Sequence, residues 1–98
     1  MWLAFEYSET EPEVIWDKVY IDYSDIPLFL ERREVVVPPS YLGKTHLWVL
    51  YRVHPYDYDI RIQGLFDNPD AASLACGMLN DKQPNYETEW KVELVKVM

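Results

Sequence analysis

Carboxylates interleaved with aromatic rings fill the first quarter of the chain. Glu6, Glu9, Glu11, Glu13, Asp17, Asp22 and Asp25 share that stretch with Trp16, Tyr20 and Tyr23. The chemistry open to this combination is recognition. Spaced carboxylates imitate the charge of a phosphate chain, and aromatic rings supply the desolvated contact area that charge alone lacks. Residues 1–31 hold eight acids against Lys18 alone, so 8 − 1 gives −7, whereas residues 32–66 carry +2 and residues 67–98 carry −3, which together make the net −8. A phosphate backbone is bound by clustered Lys and Arg, so direct nucleic-acid binding is not expected, and a protein with a basic surface is the expected partner.

The other reactive side chains do not assemble into a centre. His46 and His54 lie eight residues apart on one predicted strand, a separation of roughly 26 Å at strand rise, too far to share a metal or a proton. His54, Asp57 and Asp59 fall in one turn without a further ligand at zinc-like spacing. Cys76 sits inside a predicted helix with no histidine nearby in sequence and reads as a small apolar residue rather than a nucleophile. Gly43, Gly64 and Gly77 are too scattered for a phosphate-cradling loop. No enzymatic activity, cofactor or metal is expected.

The elements that must position the acidic stretch follow from periodicity. Trp2 to Tyr7 predicts a strand with Leu3, Phe5 and Tyr7 on one face, and Val14 to Tyr23 a returning strand after an acidic connection containing Pro12. In the returning strand, strict alternation puts Val14, Trp16, Lys18, Tyr20 and Asp22 together, an edge row of aromatics between carboxylates. Ser24 or Asp25 predicts the cap of a short helix through Glu34 with Leu28, Phe29 and Leu30 as its buried residues, and Pro38-Pro39 ends regular structure. His46–Val53 and Ile60–Phe66 form a hairpin whose apolar face is Leu47, Val49, Tyr51 and Val53 with Ile60, Ile62, Gly64 and Phe66. Asn68-Pro69-Asp70 starts a helix through Asn80, with the stripe Ala71, Leu74, Ala75, Met78 and Leu79 turned to the sheet. A last strand begins near Trp90, and Trp90 and Val92 join Leu74, Met78 and the hairpin residues in the expected core.

The expected fold is therefore α+β: a single-layer antiparallel sheet with two short helices, in the order β-β-α then β-β-α-β, within one domain spanning 1–98. Trp2-Leu-Ala-Phe-Glu-Tyr echoes Trp48-Val-Leu-Tyr-Arg-Val, each followed by an acidic turn, an alternating strand and a capped helix. That echo raises a degenerate duplication with halves 1–37 and 45–98. A 49% hydrophobic and 15% aromatic composition is that of a folded soluble chain rather than a disordered one. The absence of any run near ~20 apolar residues, of a secretory leader and of a second cysteine makes a cytoplasmic location the expectation, the host cytoplasm for a phage-encoded protein, with no membrane partner.

Leu47-Trp-Val-Leu-Tyr, an acidic turn, Ile62-Gln-Gly-Leu-Phe-Asp, then Ala71-Ala72 and a short helix resemble a group of small uncharacterised bacterial and phage β-β-α-β modules. The resemblance covers the C-terminal half and implies a shape, not an activity. The functional expectation is a small acidic protein-binding module, a phage-type anti-defence inhibitor of the anti-CRISPR or DNA-mimic kind, that blocks a basic nucleic-acid-binding surface of its partner. The alternatives are an adaptor or assembly subunit, including a homodimer formed through a sheet edge, and a small-ligand sensor with an aromatic pocket.

Overall fold

The computed structural model describes residues 1–8, 13–54, 59–82 and 89–98. Six strands and one α-helix follow in the order β1 (Trp2–Tyr7), β2 (Val14–Tyr20), β3 (Glu31–Glu34), β4 (His46–Val53), β5 (Ile60–Phe66), α1 (Pro69–Asp81) and β6 (Lys91–Lys96), with short 3-10 turns at Tyr23–Asp25 and Pro39–Gly43. The class is α+β, but the strands form two antiparallel three-stranded sheets, ordered β2-β1-β3 and β5-β4-β6, rather than one layer. The two sheets pack face to face. Leu3, Phe5, Val14 and Val19 from the first share one buried cluster with Leu47, Val49, Tyr51, Val53, Ile60, Leu65 and Val95 from the second. Burying a leucine, valine or phenylalanine side chain contributes about 1.5–3 kcal/mol, so this shared layer is the main source of stability.

One seam between the sheets is closed by backbone. Val19 and Val97 form a parallel bridge, and the Met98 N–H donates to the Val19 carbonyl at 2.9 Å. At the opposite seam, where β3 and β5 are edge strands, the Arg33 guanidinium meets the Asp59 carboxylate at 4.0 Å.

Each second strand carries one irregularity that strict alternation does not anticipate. Phe5 pairs with Trp16 and Leu3 with Val19, so Asp17 and Lys18 together oppose Ala4. Tyr51 pairs with Ile62 and Leu50 with Gly64, which leaves Gln63 as the extra residue. A bulge of this kind moves every later side chain to the other face. Val14, Trp16 and Val19 therefore face inward and Tyr20 outward, while Ile60, Ile62 and Leu65 face inward in place of the expected Gly64 and Phe66. The pairings recur at a constant offset of 46 residues: Trp2–Tyr20 and Trp48–Phe66, Leu3–Val19 and Val49–Leu65, Tyr7–Val14 and Val53–Ile60.

The helix expected before Glu34 does not form. The Asp22 carboxylate caps only the 3-10 turn, accepting the Ser24 N–H at 2.9 Å, and Glu31–Glu34 pairs with β1 as the third strand of its sheet. Residues 21–30 instead lie over the outer face of that sheet, where Ile26 and Leu30 pack with Ala4, Tyr20 and Trp2. The outer face of the other sheet is covered by α1, which starts as expected: the Asn68 side chain accepts the N–H groups of Asp70 and Ala71 at 2.8 and 3.2 Å, and Pro69 follows. Its packing face differs from the expected stripe. Ala72 is buried and Ala75, Cys76 and Leu79 are half-buried, whereas Leu74 is 68% and Met78 54% exposed. Ala72, Cys76 and Leu79 recur at three- and four-residue spacing as well as the other set does, and the small residues let the helix approach Leu50, which is fully buried. Ile62, Phe66, Trp90 and Val92 are half-buried rather than central to the core.

Truncation separates the two assignments. Leu47→Ala, in the layer between the sheets, is expected to cost about 2–5 kcal/mol in denaturant unfolding. Leu74→Ala is expected to change stability by less than about 0.5 kcal/mol.

Candidate functional site

The acidic stretch is distributed over the outer layer of the first sheet. Glu6 and Glu34 lie on its outer face by alternation with Ala4 and by pairing with Trp2, Asp17 lies in the β2 bulge, and Asp22 and Asp25 belong to the covering segment. Glu13, just before β2, is exposed. Glu9 and Glu11 lie outside the described residues.

Several of these side chains build the fold as well as its surface. Tyr20 is buried and its hydroxyl donates to Asp17 Oδ2 at 2.6 Å. Burial and the neighbouring Asp17 carboxylate push its hydroxyl up to about 12. Asp22 Oδ1 accepts both the N–H and the hydroxyl of Ser24, and the backbone bond first, then the hydroxyl, hold its carboxyl below the usual range. Trp16 is half-buried between the sheets, edge-on to Phe5 at 5.3 Å and to Tyr51 at 5.0 Å. The expected exposed row of Trp16 and Tyr20 is therefore absent, because the bulge at Asp17-Lys18 sends the two rings to opposite faces, where Tyr20 is buried and Trp16 half-buried. Tyr23 alone of the three aromatics is exposed, with its ring edge-on to Trp2 at 4.8 Å.

The apolar contact surface lies one segment later. Ile26 and Leu30 anchor the two ends of a loop whose tip presents Leu28 at 94% and Phe29 at 74% exposure. Arg32 fixes that tip. Its Nη2 donates to the carbonyl oxygens of Pro27, Leu28 and Leu30 at 3.1, 3.4 and 3.0 Å, and its guanidinium lies 5.0 Å over the Tyr23 ring. The Leu30 N–H closes the turn on the Pro27 carbonyl at 3.1 Å. Leu28, Phe29 and Arg32 were not legible as a site in the sequence, where the first two read as the buried side of a helix. The usable signal was Pro27 within Ile26-Pro-Leu-Phe-Leu, which removes a backbone donor and disfavours helical geometry at Ile26, with an arginine two residues beyond the run.

A partly open cavity of about 270 Å³ is lined by Glu13, Val14, Tyr51, Val53, Glu89, Lys91 and Glu93. Among the described lining residues Tyr51 is the only aromatic one, and its hydroxyl donates to Glu93 Oε1 at 2.9 Å. Desolvation first, then that carboxylate, push the Tyr51 hydroxyl up. His46 and His54 occupy the start of β4 and the residue after its end, and Asp57 of the expected turn cluster lies outside the described residues. Cys76 is half-buried, its thiol donating to the Trp90 carbonyl at 3.2 Å, and burial pushes the thiol up. Among the described residues, no helix is long and apolar enough to cross a membrane. Compared with known proteins, the chain matches no family model, no curated protein and no solved structure.

The raised Tyr20 hydroxyl has a signed consequence for stability. A folded-state value above the unfolded 10 favours the protonated, folded form, so its contribution is complete below pH 10 and lost as pH rises toward about 12. Chemical denaturation repeated between pH 9 and 12 is expected to show falling stability, and Tyr20→Phe to flatten the part of that fall due to Tyr20 while Tyr51 preserves the remainder.

Proposed function

We propose that this chain is a non-enzymatic acidic protein-binding module that docks through the Leu28–Phe29 tip onto a basic partner and occupies a surface the partner otherwise offers to nucleic acid. The observation that carries this reading is the tip itself: two large apolar side chains held out in solvent by an arginine that satisfies three carbonyls, with Asp22, Asp25 and Glu31 exposed along the same segment. Exposing leucine and phenylalanine on a pre-formed loop gains nothing for a monomer, whereas a rigid apolar anchor inside a charged rim is the anatomy of a binding hot spot. The rim sets the partner class: an apolar pocket bordered by Lys and Arg. The cavity beside Tyr51 gives less support to small-ligand sensing through an aromatic pocket, because three carboxylates and Lys91 share its described wall with one aromatic ring. A homodimer through β3 is disfavoured by its Glu31-Arg32-Arg33-Glu34 edge, since charges on an edge strand discourage strand pairing.

The structure also selects the variants for the test. Asp17 and Asp22 hold Tyr20 and the 3-10 turn, so reversing them would disturb the fold; Asp25 and Glu31 are exposed and are the cleaner sites. Immobilised parent, Leu28→Ser with Phe29→Ser, and Asp25→Lys with Glu31→Lys are compared for capture from a bacterial lysate, followed by elution with salt and with an oligonucleotide. The expected result is a nucleic-acid-binding protein retained by the parent, several-fold less by each variant, and released both by salt, because charges are screened over ~8–10 Å, and by the oligonucleotide. Retention that is equal for all three, or that nucleic acid does not displace, overturns the reading; loss in the tip variant with no displacement by nucleic acid makes the module an adaptor.

A further inference from the structure

We infer that the two sheets part along the β3–β5 seam while the β2–β6 seam serves as the hinge, and that Pro38 sets which seam opens. The two halves of the chain share one pairing register. Their hairpins repeat at 46 residues and their third strands at 60: Trp2–Glu34 corresponds to Trp48–Leu94, and Phe5–Glu31 to Tyr51–Lys91. The correspondence runs past the end of β3. Met1 and Val35 exchange backbone bonds of 3.0 and 2.8 Å, and they stand where Leu47 pairs with Val95. Two residues on, Val37 and Val97 are both half-buried against the layer between the sheets. By the same offsets Leu65 matches Val19, and Pro38 matches Met98.

That last match makes the two seams unequal. The Met98 N–H donates to the Val19 carbonyl at 2.9 Å and, with the Val19–Val97 bridge, ties β6 to β2 through backbone. Pro38 has no N–H, so the equivalent bond to the Leu65 carbonyl cannot form. Among the described residues, no backbone bond joins β5 to β3 or to residues 35–38. A shallow depression of about 400 Å³ lies there instead, with residues 33–36 along one wall and Ile60, Ile62 and Gly64 along the other. The Arg33–Asp59 pair spans this seam at 4.0 Å, but its side chains are 50% and 54% exposed, and a solvated pair at that distance holds little. Local opening follows the boundary with the fewest buried contacts and backbone bonds, so Val35 and Val37 separate from Ile60 and Ile62 while the Val19–Val97 bridge persists. Opening bares the edge of β5, whose seven residues carry Arg61 as their one charge, an edge suited to pairing with another extended chain. The inference does not depend on the docking reading, which concerns the outer face of the first sheet.

The test labels buried thiols at matched positions on the two seams. Ile60 and Val14 correspond, each opening the second strand of its hairpin, and are buried alike at 5% and 7% exposure. Ile60→Cys and Val14→Cys are made separately in the full chain carrying Cys76→Ser, and reaction with a thiol reagent is followed under native conditions. Ile60→Cys is expected to react roughly threefold to tenfold faster, the ratio that one net backbone hydrogen bond supplies. Adding Pro38→Met restores the missing donor and is expected to slow Ile60→Cys by a similar factor, with the new amide at position 38 gaining the exchange protection expected of the Met98 amide. Loss of a proline by itself lowers stability, so a slower rate has the opposite sign to the general effect of that substitution. Met98→Pro is the reverse case, expected to speed Val14→Cys. Equal rates for Ile60→Cys and Val14→Cys, or an Ile60→Cys rate that Pro38→Met leaves unchanged or raises, overturn the seam assignment. Should the Pro38→Met chain fail to fold, Met98→Pro decides alone, and an unchanged Val14→Cys rate overturns it.

Discussion

Each three-stranded sheet has one face it cannot leave in water, and among the described residues the cover for that face is the other sheet. Leu3, Phe5, Val14 and Val19 on one side and Leu47, Val49, Tyr51, Val53, Ile60, Leu65 and Val95 on the other form a single buried layer. Covering that face supplies most of the apolar burial available to a three-stranded sheet. The two outer faces are then covered differently. The second sheet uses a 13-residue helix that turns Ala72, Cys76 and Leu79 inward, so its approach is close and its outer side is plain helix surface. The first uses a loop anchored only at Ile26 and Leu30, and a loop, unlike a helix, can turn the residues between two buried anchors outward. The availability of an apolar tip for docking follows from that difference.

The bulges decide which chemistry reaches which side. Without the extra residue in β2, Trp16 and Tyr20 would share a face; with it, Trp16 helps close the layer between the sheets and Tyr20 secures the outer loop through Asp17. The same device in β5 brings Leu65 inward and leaves Gln63 unpaired beside Arg52 and Arg61. Because the pairings repeat every 46 residues, Glu6–Ile15 in the first sheet corresponds to Arg52–Arg61 in the second. At that register position Glu6 in the first half corresponds to Arg52 in the second, while the neutral Ile15 corresponds to Arg61.

Much of this was legible in the residues. Alternation located both hairpins and put Val53 opposite Ile60, and Asn68-Pro69 marked the start of the helix, because these signals are local. Bulges are not local signals: Asp17-Lys18 and Gln63-Gly64 look like any other strand residues, and only pairing with the neighbouring strand shows two residues opposing one. The misplaced faces of Tyr20, Gly64 and Phe66 lie beyond one of them; those of Trp90 and Val92 do not, since the last strand pairs with β4 in unbroken register. The helix faces failed for another reason. Two apolar stripes run along α1, and volume rather than hydrophobicity selects the one with Ala72 and Cys76, since Leu74 and Met78 would hold the helix farther from Leu50. Glu31–Glu34 reads as helix on propensity, yet pairing with the open edge of β1 draws it into a strand.

The arrangement of the two sheets also bears on how the chain is made. Strands β1 to β3 leave the ribosome before the rest of the fold, but the side chains that cover their inner face come from residues 47–65 and from Val95, and the bridge that joins the seam comes later still, at Val97 and Met98. For that interval Leu3, Phe5, Val14 and Val19 form an uncovered apolar sheet on a nascent chain, the kind of surface through which partly made proteins associate. The seven excess negative charges within residues 1–31 travel with it. Charges of one sign repel one another, so such segments on neighbouring nascent chains are expected to be held apart until the second sheet arrives.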